Sequence, residues 1–152
     1  MKDIAIYGAG GFGREVACLL HRINAVTPEW NLIGFFDDGK EPGYVTEYGK
    51  VLGGIESVNT FSSPLSIVIA IGSPKVVEKI VGKVENPLID FPTIISPDTI
   101  FLDKGNISFG RGNLICSGCL FSCNVKVGDF NTFNGFIMIR WMNLVCLKRY
   151  SP

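Results

Sequence analysis

The stretch Gly8-Ala9-Gly10-Gly11-Phe12-Gly13 is the part of the chain best suited to hold a phosphate. It fits G-x-G-x-x-G, follows a short apolar run and opens a segment with helical periodicity, the context in which that motif carries meaning. The first glycine permits a tight turn, the second lets the backbone approach a phosphate, and the third allows close helix–strand packing. Backbone N–H groups at the helix start would face the anion, helped by the helix dipole, and Arg14 adds a cation one residue further in. A βα turn with no ligand is the alternative for the same residues. Asp37-Asp38 is an acidic pair able to accept hydrogen bonds from ribose hydroxyls, a base or a sugar. Followed by Gly39, it is equally an ordinary turn. Ile71-Gly72-Ser73 offers further backbone N–H groups.

Three strands and two helices must bring these residues together. Ile4-Ala5-Ile6-Tyr7 reads as a buried parallel strand ending at Gly8. From Arg14 to Ile23, Val16, Leu19, Leu20 and Ile23 fall at helical spacing on one stripe. Asn31 to Phe36 predicts a second strand ended by Asp37-Asp38-Gly39, and Ser66 to Ile71 a third, ended by Gly72-Ser73-Pro74. Proline is favourable at a helix start, and Lys75 to Val84 carries Val76, Val77, Ile80 and Val81 on one face. Residues 40–64 read as loop apart from Val51-Leu52. Alternating strands and helices with short glycine turns predict an α/β fold with a Rossmann-like parallel sheet. In such sheets ligands bind at the carboxyl edge, where all three motifs fall.

Beyond a boundary placed at residue 95 the period changes. Phe109, Ile115, Phe121, Val127, Phe133 and Ile139 are apolar and spaced six apart, each followed by a small or polar residue until Arg140. Neither a helix nor a strand singles out every sixth residue; a β-helix with short flat faces does. An antiparallel meander with Gly-Asn turns is the alternative. The chain thus divides into a Rossmann-like domain over 1–95, a short parallel β-helix over 96–139 and an atypical tail over 140–152.

Composition narrows the class of function. Fourteen Lys and Arg balance fourteen Asp and Glu, which argues against nucleic acid or an anionic membrane as partner. With 47% hydrophobic and 18% charged residues the chain can bury a core and is not disordered. Met1 leads straight into Lys2-Asp3 without an apolar leader, and five cysteines is an odd number, so reduced thiols in a cytoplasmic protein are expected. No apolar run reaches the ~18 residues of a membrane span. Cys116, Cys119 and Cys123 invite a zinc reading, but they fall at three different phases of the six-residue register, so no metal is expected. His21, the one histidine, reads as a solvated helix residue.

Taken together, Ile6 to Ala17, Gly34-Phe35-Phe36-Asp37-Asp38, Val51-Leu52-Gly53-Gly54 and Ala70-Ile71-Gly72 resemble the sugar O- and N-acyltransferases of the sialic acid O-acetyltransferase and pilin-glycan acetyltransferase type. The similarity runs from residue 1 to about 139. It implies an N-terminal domain that binds a nucleotide-linked amino sugar, usually a UDP sugar. It also implies a left-handed β-helix of hexapeptide repeats that forms trimers and takes acetyl-CoA as co-substrate between neighbouring coils. By resemblance Gly10 to Gly13, Phe12 among them, go to the phosphates, while Gly8 and Arg14 join the candidate site through the motif itself. Asp37 and Asp38 go to the uracil side, and Ile71-Gly72 to the cleft wall. Many relatives carry His where this chain has Phe12. They also place a catalytic His in a Gly-His-Asp-like stretch soon after the point reached by Ile139, where this chain reads Arg140-Trp141-Met142-Asn143. Phe136 to Pro152 contains no Gly, Asp or Glu, which reads as a truncated or frame-shifted sequence, binding-competent but catalytically silent. An NAD(P)-binding oxidoreductase and a purely nucleotide-sugar-binding module are the alternatives.

Overall fold

The computed structural model describes residues 1–140. The chain forms two compact units, the first spanning residues 1–91 and the second beginning at Pro92. In the first, β1 (Lys2–Tyr7), α1 (Gly11–Val26), β2 (Trp30–Phe36), β3 (Val45–Thr46), β4 (Gly49–Gly53), α2 (Ile55–Asn59), β5 (Leu65–Ile69), α3 (Pro74–Val81) and β6 (Ile89–Asp90) follow one another. The sheet order is β3-β4-β2-β1-β5-β6, and every pairing but β3–β4 is parallel. This is the Rossmann-like α/β sheet expected from the alternation of strands and helices.

The strands that position the site are its most buried elements. Ile4 to Tyr7 and Leu65 to Ile69 are buried throughout, because each central strand is covered on both faces. Helix α1 buries Val16, Leu19 and Leu20, as their spacing predicts, while Ile23 is half-buried. The Asn24 side chain ties the far end of α1 to β2: its amide donates to the Trp30 carbonyl, and its oxygen accepts from the N–H groups of Glu29 and Trp30. The segment 40–64, expected to be loop apart from Val51-Leu52, contains β4 around those two residues and also β3 and α2. A two-residue strand and a five-residue helix are too short to show a hydrophobic period, and β4 begins and ends in glycine, which reads as turn.

The second unit is built of two-residue strands: β7 (Ile94–Ile95), β8 (Ile100–Phe101), β9 (Ser108–Phe109), β10 (Leu114–Ile115), β11 (Leu120–Phe121), β12 (Lys126–Val127), β13 (Thr132–Phe133) and β14 (Met138–Ile139). They form three parallel sheets, β13-β10-β7, β14-β11-β8 and β12-β9. Each of the six apolar residues singled out by spacing is the second residue of its strand. Ile115, Phe121, Val127 and Phe133 are buried in one core, with Phe109 and Ile139 packed against it. Strands pair with those 18 residues on, as Leu114 does with Thr132 and Lys126 with Ser108. Parallel pairing at one turn's distance on three faces is the arrangement of a β-solenoid, and it excludes the antiparallel meander.

The solenoid starts earlier than the six-residue pattern suggests. Ile94 pairs with Leu114 and Ile100 with Leu120, a separation of 20 residues rather than 18. The two extra residues lie between Phe101 and Phe109 and are absorbed by a 3₁₀ turn at Lys104–Asn106. The interior is a ladder of rings: Phe101–Phe121 at 5.7 Å, Phe109–Phe121 at 5.1 Å and Phe121–Phe133 at 5.3 Å between centroids. Such pairs add about 0.5–1.5 kcal/mol each beyond burial. Corners are shaped by stacking of one coil's ring on the glycine of the coil before. Gly112 has φ +66°, and a Cβ there would lie 2.4 Å from the Phe130 ring.

One corner is held by a buried amide ladder. Asn113 donates to the carbonyls of Gly110 (3.0 Å) and Gly128 (2.8 Å), and its oxygen accepts both the backbone and side-chain N–H of Asn131 at 2.9 Å. Cys119 is buried, and burial pushes its thiol pKa up, whereas Cys123 is exposed. Among the described residues no group of three or more His, Cys, Asp or Glu is placed to hold a metal ion. Nor is any helix among them long and apolar enough to cross a membrane. Of the tail expected over 140–152, all but Arg140 lies outside the described residues, as do Trp141 and Cys146.

Candidate nucleotide-binding site

Strand order reverses at β1, with β2 on one side and β5 on the other, so the crevice of the sheet opens at the carboxyl ends of these three strands. A cavity of about 500 Å³ lies there. The end of β1 and the following loop contribute Tyr7, Gly8, Gly10, Gly11 and Phe12; the end of β2 contributes Asp37, Asp38 and Gly39. The segment after β5 adds Ala70 and Ile71; α3 adds Val76 from its first turn and Lys79 and Ile80 from its last, with Lys83 just beyond. Seven of the ten residues expected at the site therefore share one cavity.

The other three lie elsewhere. Arg14 lines a separate polar depression of about 260 Å³, with Gly10, Lys40 and Tyr44 among its walls. Gly72 is exposed outside the cavity, and Gly13 is buried beneath the loop.

The glycines of the motif fall into two kinds. Gly8 has φ +112°, a conformation L side chains avoid, and a Cβ there would sit 2.6 Å from the Ala70 carbonyl oxygen. A Cβ on Gly13 would sit 1.9 Å from the Gly8 carbonyl oxygen. These two are required by the fold. Gly10 and Gly11 differ: neither has a positive φ, and a Cβ built on either meets no atom within 4 Å. Nothing inside the described chain demands a glycine at these two positions, yet both line the cavity.

The acidic pair holds the loop in place. The Asp37 carboxylate accepts the Ala9 N–H at 2.8 Å through one oxygen and the Gly39 N–H at 2.8 Å through the other. Asp38 accepts the Ile55 N–H at 2.8 Å, at the start of α2, and the Tyr7 hydroxyl at 2.7 Å. All four carboxylate oxygens thus have a donor from the chain itself, and each keeps a lone pair for a ligand. Burial, reinforced by the bond to Asp38 and by the charges of Asp38 and Asp37, raises the Tyr7 pKa far above its ordinary value. The phenol remains a donor throughout the physiological range.

Tyr7, Lys79 and Lys83 were not singled out by spacing. A tyrosine closing a buried strand must find a partner for its hydroxyl, and that signal was available in the sequence. The two lysines were hidden because α3 was read for its apolar stripe. Val76, which that stripe assigns to the core, is 41% exposed and faces the cavity instead. His21 lies outside the cavity, exposed on α1, with its ring edge-on to Tyr48 at 5.6 Å between centroids.

The sequence pattern of the PglD N-terminal domain family matches residues 3–84, more than half of the chain, and the protein belongs to that family. The resemblance to pilin-glycan acetyltransferases drawn from its motifs therefore holds. Among solved structures, WeeI from Acinetobacter baumannii AYE is similar at 27% identity and a TM-score of 0.76, over 91% of this chain and 64% of that one. The acetyltransferase domain of PglB from Neisseria gonorrhoeae FA1090, in complex with acetyl coenzyme A, matches at 22% identity and 0.75, over 91% and 64%. PerB from Caulobacter crescentus, in complex with CoA and GDP-perosamine, matches at 16% and 0.74, over 92% and 63%. The chain spans a little under two thirds of the length of each. No curated protein matches it.

Proposed function

We propose that the first unit binds a nucleotide-activated amino sugar in the cavity at the β1, β2 and β5 edge. The observation that carries this reading is the pair Gly10 and Gly11, which are glycine without an intramolecular reason and line the cavity wall. A side chain is absent there so that a ligand can approach backbone N–H groups at the start of α1. Asp37 and Asp38 present their remaining lone pairs to the base or ribose, and Ile71 and Val76 form an apolar wall. UDP is the expected carrier from the resemblance, and the GDP sugar held by PerB makes a guanine nucleotide the comparison to run beside it.

The second unit is proposed to be a left-handed β-helix of hexapeptide repeats, assembling as a homotrimer in the cytoplasm, with acetyl-CoA as co-substrate of the complete enzyme. The reaction class is acetyl transfer to a sugar amine or hydroxyl in glycan biosynthesis. A base takes the proton as the nucleophile attacks the thioester carbonyl, and backbone N–H groups stabilise the oxyanion. In this reading the base is a histidine, and the one histidine of this sequence, His21, lies outside the cavity. The chain as given is therefore proposed to bind the nucleotide sugar and not to turn it over.

Two measurements test this. Calorimetry with UDP- and GDP-amino sugars and with NAD(H) is expected to give binding of a nucleotide sugar; tight NAD(H) binding with no response to any nucleotide sugar would overturn the reading. An acetyl-transfer assay with acetyl-CoA is expected to show no turnover above the uncatalysed rate.

A further inference from the structure

We propose that Lys79 and Lys83 form an anion-holding wall that takes the diphosphate of the ligand, so that α3 as well as the glycine loop sets the site's demand for a nucleoside diphosphate. The proposal rests on the nucleotide-sugar reading and adds residues that the glycine motif does not contain. Both lysines line the 500 Å³ cavity, four residues apart, and with Val76 and Ile80 they occupy one helical face of α3 and its extension.

The charges of the cavity are not equivalent. Every oxygen of Asp37 and Asp38 already has a donor from the chain. The ammonium groups of Lys79 and Lys83, by contrast, have no hydrogen-bond or ion-pair partner among the described residues; the partners of Lys83, Asn59 and Ile80, bond its backbone. The charge in this cavity that still lacks a partner is therefore positive. Two ammonium groups match the charge of a diphosphate, and opposite charge on α3 lets the loop's N–H groups and the lysines share its oxygens. A lone nucleoside would leave both lysines without an anion.

The test is equilibrium binding of uridine, UMP and UDP, with guanosine, GMP and GDP in parallel, to the full chain and to Lys79→Gln, Lys83→Gln and the double variant. Both side chains are exposed, so the variants are expected to melt with the parent. In the parent the diphosphate should bind at least about ten-fold tighter than its nucleoside, and each replacement should weaken it about three- to five-fold, the scale of a partly exposed ionic contact. The double variant should lower the preference about ten-fold, leaving the part supplied by the loop's N–H groups and keeping nucleoside affinity within about two-fold, and Lys79→Arg should restore most of the single loss. An undiminished diphosphate preference in the double variant would overturn the lysine wall and leave the nucleotide-sugar reading intact. Failure of every nucleotide and nucleotide sugar to bind the parent would overturn both.

Discussion

Replacing Gly11 by valine separates a glycine kept for a ligand from one kept for the fold. A Cβ at Gly11 meets nothing within 4 Å, and the residue opens α1, so the chain itself tolerates the side chain. Removing a glycine from a compatible position reduces the entropy of the unfolded chain, a gain of about 0.4–1 kcal/mol less a small helix penalty for β-branching. At roughly 2–4 °C per kcal/mol for a chain of this size, the melting temperature should hold or rise by about 1–3 °C. The same side chain projects where backbone and phosphate must approach, so nucleotide-sugar affinity should fall by at least about ten-fold. Gly13→Ala is the contrast, because its Cβ would lie 1.9 Å from the Gly8 carbonyl oxygen. Backbone must move to relieve that overlap, and a loss of about 1–3 kcal/mol or more follows. Differential scanning fluorimetry and calorimetry on the two variants read both effects. A Gly11→Val protein that melts several degrees below the parent, or that binds the nucleotide sugar undiminished, would refute the division of the motif.

Further outcomes follow from the same contacts. Asp37→Asn leaves at most one acceptor for the Ala9 and Gly39 N–H groups, so ligand affinity should fall about five- to ten-fold with a loss of about 1–2 kcal/mol in stability, read by the same two assays. Tyr7 carries a raised pKa in the folded state, so its contribution to stability is complete below the ordinary tyrosine pKa and is lost as pH rises through the folded value. Tyr7→Phe should therefore melt below the parent at pH 7, and the gap should narrow in strongly alkaline buffer. Asn113→Ala removes the acceptor shared by the backbone and side-chain N–H of Asn131 and the side-chain donor to the Gly128 carbonyl, and should cost about 2–4 kcal/mol in denaturant titrations, without changing nucleotide affinity.

What could be read from the residues was whatever repeats or sits at an obligatory turn. The six-residue spacing of Phe109 to Ile139 marks the inward residue of six strands, because each flat face of the solenoid spends one side chain on the core. The glycine loop and the acidic pair were legible because a strand-to-helix turn at a sheet edge admits few residue types. The β-helix is expected from residue 96, but the register of its first coil is not legible: Ile95 and Phe101 belong to the same series, and the two-residue insertion filled by Lys104–Asn106 shifts it before Phe109. The lysines of the cavity were missed for a different reason. A helix face that is half apolar and half cationic looks like a core stripe until the sheet edge shows that Val76 and Ile80 border a crevice. The roles of Asp37 and Asp38 as anchors of the loop and of α2 depend on contacts to Ala9 and Ile55, which spacing along the chain does not reveal.

The central claim is that a nucleotide sugar occupies the crevice between the glycine loop, the acidic pair and α3. Amide chemical-shift mapping of the full chain with UDP- and GDP-amino sugars, and with NAD(H) in a parallel titration, tests it at the level of residues. Saturable shifts at Gly10, Gly11, Phe12 and Ile71 with a nucleotide sugar, and none with NAD(H), are the predicted result. Shifts at those amides with NAD(H) alone, or nucleotide-sugar shifts that leave them unmoved, would contradict it.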